Sequence, residues 1–125
     1  MIRTLASIVI TLLLIFGLSW YEMRYVDRIF EHFNAMLLSL RQKTESGTAL
    51  YEDGTAVQTY WDKQRHRMHI WLPHSSLLEV DYQMDEALGF LYLKDYEGAL
   101  PKIDVLIGLS ENIPDSYSLN LGNIF

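Results

Sequence analysis

Apolar positions follow two patterns along this chain, one continuous and one striped. From Thr4 to Tyr21 there are 18 residues without a charge, and Ile8 to Phe16 is apolar on every side apart from Thr11. At about 1.5 Å of rise per residue the stretch covers roughly 27 Å, close to the ~30 Å hydrocarbon core of a bilayer. Trp20 and Tyr21 close it with amphipathic rings suited to a membrane–water boundary. The pattern predicts a transmembrane anchor over residues 1–21. The alternative is a cleaved signal peptide, with Arg3 as its basic start and the small residues Gly17 and Ser19 allowing a cut after Ser19. Against it, no A-x-A motif is present and a helical pattern runs straight out of the segment.

The striped pattern begins at Val26. Val26, Phe30, Phe33, Leu37 and Leu40 recur at steps of four and three, with Ile29 and Met36 widening the stripe. The anchor helix is therefore expected to continue into water as one rod to about Arg41. Lys43 to Gly54 reads as a loop, from Ser46, Gly47, Asp53 and Gly54. A second helix is expected from near Thr55 to Trp71, capped by Asp53 or Thr55, with Val57, Trp61, Met68, Trp71 and Leu72 inward and Pro73 ending it. Ser76 followed by Glu79 reads as a capping box opening a third tail helix with Leu77, Val80, Met84, Ala87, Leu88 and Leu91. The fourth follows Asp95 and uses Tyr96, Ala99, Leu100, Ile103 and Leu106. Pro101 then requires a kink or a start near Leu100. Residues 112–125 are expected as an extended tail, with Ile124 and Phe125 packed against the bundle rather than dangling in water. The fold class that results is all-α: an N-terminal transmembrane helix continuing into a small antiparallel bundle, with residues 22–125 as one water-facing domain.

Charge and composition narrow the function classes. Residues 22 to 125 carry all 16 acidic and nine of the ten basic side chains, a net charge of −7. A domain that acidic repels nucleic acid and anionic lipid, so neither is expected as a general partner. The chain has no cysteine, which excludes disulfides and thiolate metal sites. Lys and Arg counts do not fix the orientation: the α-amine and Arg3 stand on one side, Arg24 and Arg28 on the other. The basic tip followed at once by an apolar run is the pattern of an uncleaved export signal, which places the domain outside the cell membrane.

Two resemblances follow from short motifs. Leu93 to Leu100, L-K-D-Y-E-G-A-L, resembles the turn and second-helix start of a tetratricopeptide-type hairpin, with Ala87 at the small position of the preceding helix. It covers about one repeat, whereas stable arrays need roughly three, so at most a lone TPR-like hairpin is implied. The N-terminal anchor, the tryptophan-bearing central helix, W-L-P-H-S-S-L-L-E-V-D from Trp71 to Asp81, D-Y-E-G-A-L and the ending I-P-D-S-Y-S-L-N-L-G-N-I-F cover more of the chain. Together they resemble a domain-of-unknown-function family of short, membrane-anchored proteins from spore-forming Gram-positive bacteria. That resemblance implies an envelope location and a helical domain, and brings no activity or site residue.

Little in the chain suggests catalysis. Asp62, His66 and His69, at steps of four and three, with His74 nearby, are the only metal-ligand types that cluster. They match no established binding motif and read rather as a solvated helix face next to a cap histidine. Lys63, Arg65, His66 and Arg67 form the one basic patch and could grip phosphate-bearing polymers or lipid headgroups, although their place in the last half of a helix also offsets its dipole. Ser75 and Ser76 beside His74 lack the glycine elbow of a nucleophile, and Asp81, Asp85 and Glu86 read as surface charges. The expectation is a non-enzymatic, cofactor-free envelope adaptor binding a membrane or envelope protein, with Lys63, Arg65, Arg67, Ile124 and Phe125 as candidate contacts. The competing class is a small-ligand or metal sensor with a pocket near Trp61, Trp71 and His69.

Overall fold

A computed structural model describes the backbone of residues 1–68 and 72–124, and the side chains of these except 22, 23 and 115–124. Four helices follow in order: α1 (Ile2–Glu45), α2 (Tyr51–Met68), α3 (His74–Tyr92) and α4 (Tyr96–Ile124). Each packs on its neighbours in sequence, and α4 closes back onto α1. Arg41 with Asp104 and Asn34 with Ser110 set α1 and α4 antiparallel, and Lys102 with Glu86 does the same for α3 and α4.

The α1 helix is a 44-residue rod, about 66 Å long at the standard rise. Its first half stands bare. Its second half buries Val26, Ile29, Phe30, Phe33, Leu37 and Leu40, the stripe expected from the sequence. The core gathers around Trp61, fully buried, whose ring stacks on Phe33 at 5.0 Å and tilts against Phe30 at 5.9 Å. Leu77, Val80, Met84, Ala87, Leu88 and Leu91 close it from α3, and Ala99, Ile103, Leu106 and Ile113 from α4.

The starts of α2 and α3 depart from expectation, each for a local reason. The α2 helix starts at Tyr51, not Thr55, because Asp53 Oδ2 accepts the Leu50 N–H at 2.9 Å and closes the first turn from its third position. Gly54 is thus no loop residue but a close approach: a Cβ there would lie 2.5 Å from Leu88 Cδ2 and 2.9 Å from Leu91 Cδ1. The α3 helix starts at His74 with Pro73 as its cap residue, extended at φ −59° and ψ 137°. The expected Ser76–Glu79 box does not form; Glu79 instead accepts a hydrogen bond from Gln83 Nε2 at 3.1 Å.

The α4 helix starts where Asp95 Oδ1 accepts the Gly98 N–H at 3.0 Å, and it runs through both Pro101 and Pro114. Each proline removes a backbone donor and crowds the carbonyl four residues earlier, and contacts from α1 and α3 hold the helix from outside. Ser110 Oγ receives Asn34 Nδ2 at 2.8 Å and donates to the Ile107 carbonyl at 2.7 Å. The extended tail expected from Asn112 is accordingly corrected to helix as far as Ile124. Its proposed docking through Ile124 and Phe125 concerns side chains outside the described residues.

Candidate functional site

Two surfaces carry chemistry. The first is a pocket of about 420 Å³ between α2 and α3, lined by Gln58, Asp62, Arg65 and His66 from one helix and Asp81, Met84 and Asp85 from the other, with Trp61 as its floor. Trp61 builds it: its buried indole Nε1–H donates to Asp81 Oδ1 at 2.8 Å, which draws α3 onto α2. The other oxygen of Asp81 lies 2.8 Å from Arg65 Nε in an ion pair. Gln58 Nε2 donates to Asp85 Oδ1 at 3.1 Å. Three carboxylates thus face one arginine and a histidine. Burial, and then the charges of Asp81 and Asp85, push the Asp62 carboxyl above the ordinary aspartate range. The lining offers acceptors for a small donor or cation and, among the described residues, contains no hydroxyl, thiol or amine nucleophile.

This geometry sorts the sequence candidates. Asp62 and His66 line the pocket, His74 opens α3 on the exposed side, and His69 and Trp71 lie outside the described residues. Among the described residues no group of three His, Asp or Glu side chains is placed to hold a metal. The basic run is dispersed, because residues two apart on a helix point about 200° apart. Arg65 turns to Asp81 on α3, Arg67 donates to the Tyr25 hydroxyl on α1 at 3.1 Å, and Lys63 is exposed. Trp61 was foreseen as a pocket wall, but Asp81 and Asp85 were read as surface charges, and only the pairing of α3 with α2 reveals their place.

The second surface is apolar and lies at the end of the bundle farthest from the bare half of α1, where both hairpin turns meet. Tyr51 and Tyr92 contact edge to face at 5.4 Å, and Leu50 and Leu93 flank them, Leu93 being 74% exposed. Tyr96 donates to the Ala49 carbonyl at 3.0 Å and ties the two turns together. Beside this cap, Gly89, Phe90 and Leu93 line an apolar groove of about 460 Å³ bordered by Glu86 and Lys102. Sequence reasoning missed the cap because its four members belong to the ends of two different helices and share no periodicity.

Together the features define an all-helical bundle in which, among the described residues, one helix is long and apolar enough to cross a membrane. No protein-family model matches the sequence, and neither curated proteins nor solved structures provide a match.

Proposed function

We propose that this chain is a single-pass membrane-anchored adaptor whose bundle binds another membrane or envelope protein. The observation that carries the reading is the exposed Leu50–Tyr51–Tyr92–Leu93 cap at the end opposite the bare half of α1. Clustered aromatic and leucine side chains on a water-facing tip are what a protein partner covers. The unbroken course of α1 past Ser19 supports a retained anchor over a cleaved signal, and the bundle is read as extracytoplasmic. The small buried residues Ala87 and Ala99 support the TPR-like reading of the α3–α4 hairpin. The resemblance to the family of short membrane-anchored proteins rests on its quoted motifs and points to the same envelope location.

The test is crosslinking in intact membranes followed by detergent purification of the tagged full-length chain. A partner lost on Tyr92→Ser and Leu93→Ser substitution supports the adaptor. Unchanged capture by that variant overturns the cap as the contact, and release of the chain by carbonate overturns the anchor. The pocket floored by Trp61 favours a second reading, a small-ligand sensor. That reading predicts a rise in melting temperature with a small amine, abolished by Asp62→Asn with Asp85→Asn.

A further inference from the structure

The cations of this protein divide by the kind of partner they have. Arg41, Lys43, Arg65 and Lys102 each lie against a carboxylate. Near the end of the apolar stretch the arrangement differs. The Arg24 guanidinium lies over the Trp20 ring, 4.4 Å from its centroid, and Arg67 donates to the Tyr25 hydroxyl at 3.1 Å. Both partners are neutral. Arg28 is exposed one turn above Arg24, and among the described residues none of these three arginines is ion-paired, although Asp27 and Glu31 stand on the same helix. The resulting collar is built from two helices about 40 residues apart in sequence, joined by the Arg67–Tyr25 contact.

Its height along α1 matters. If Thr4 to Tyr21 fills the hydrocarbon core, Arg24 and Tyr25 stand about 5–6 Å beyond it and Arg28 about 10 Å beyond, within reach of the headgroup layer for a long side chain. An aromatic-backed guanidinium at that level is suited to phosphate, which it can contact bidentately while its stem stays on the ring. The bundle as a whole is acidic and Glu22, Asp27 and Glu31 neighbour these arginines in sequence, so the contact rests on the aromatic-backed guanidinium geometry rather than on net charge.

We propose that Arg24, Arg28 and Arg67, backed by Trp20 and Tyr25, form a binding collar for the phosphate headgroups of anionic phospholipid, which clamps the end of α2 to the membrane surface. The inference rests on the reading of α1 as a membrane span. The experiment is native mass spectrometry of the full-length chain released from mixed micelles holding equal phosphatidylglycerol and phosphatidylcholine. The wild type should retain phosphatidylglycerol selectively, and each arginine replaced by glutamine should lower that selectivity about fivefold. Arg67→Gln alone must do so if α2 reaches the membrane. Lysine at all three positions, which keeps the charge but loses the bidentate fork and the ring stacking, should keep only part of the selectivity, and circular dichroism of the same samples reports whether the bundle is intact. Equal retention of the two lipids by the wild type overturns the collar. So does displacement of the lipid by inorganic phosphate, which would assign the site to a free anion. Release of the chain from membranes by carbonate overturns the spanning reading instead, so the two failures are distinct.

Discussion

Leu13 and Leu37 occupy one helix, 24 residues apart, yet Leu13 is 66% exposed and Leu37 is fully buried. Around Leu13 the apolar residues circle the helix; around Leu37 they form a stripe, with Arg41, Glu31 and His32 off it. A stripe is satisfied by neighbouring helices, whereas an apolar surface all round is satisfied only by an apolar medium. The difference shows that hydrophobicity alone does not say what a segment packs against; its angular distribution does.

The sharpest way to break this comparison is the same substitution in both places. Leu37→Arg should abolish cooperative melting, because an unpaired buried charge costs more than a domain's ~5–15 kcal/mol margin can absorb. Leu13→Arg should leave the bundle's melting in detergent within about 0.5 kcal/mol, while weakening membrane insertion by ~2.5–3.5 kcal/mol. Circular dichroism and carbonate extraction read the two effects, and unfolding by Leu13→Arg would refute the independence of the halves.

Within the buried half the next largest effect belongs to Trp61. Trp61→Ala should cost ~3–5 kcal/mol, since it empties the site facing Phe30 and Phe33. Asp81→Ala should cost ~1–3 kcal/mol by stripping the indole N–H of its acceptor and Arg65 of its partner. Denaturant melts at constant slope measure both. If Asp81→Ala proved neutral, the α2–α3 contact would rest on apolar packing alone.

The smallest effect concerns Asp62. Its carboxyl is raised above the ordinary range, so the fold binds that proton more tightly than the unfolded chain does. The associated stability is present at acid pH, below the ordinary range, and is lost as pH rises through the raised folded value. Asp62→Asn should therefore raise the melting temperature slightly at neutral pH, within about 0.5 kcal/mol because the group is largely open to solvent, and bring no gain at acid pH. A gain that persisted in acid would point to packing rather than charge.

Much of this was legible in the sequence because periodicity reports burial directly. The stripes of α1 and α3 named their core residues, and the uncharged run named the bare half. What failed were residues whose meaning depends on a partner. Gly54 looks like a turn until Leu88 and Leu91 pack over it. Lys94 gives no sign of ending α3, yet it takes φ 58°, a geometry glycine adopts more readily, while the Asp95 N–H reaches the Phe90 carbonyl at 2.8 Å. Pro114 argues against helix in isolation, and Asn34 on α1 supplies the grip on Ser110 one turn before it. The pocket was half legible: Trp61, Asp62 and His66 are neighbours in sequence, but Asp81 and Asp85 join them only through the pairing of α3 with α2.

The passage of α1 from bare stretch to bundle without a break has a further consequence. With no linker between them, the two parts share one rotational phase, and the few residues between Tyr21 and Val26 act as the teeth of a gear. Each residue added there would turn the bundle by about 100° and lift it by about 1.5 Å. The direction in which the Tyr51–Tyr92 cap faces about the axis of the bare half of α1 is thus written in a residue count rather than in any contact.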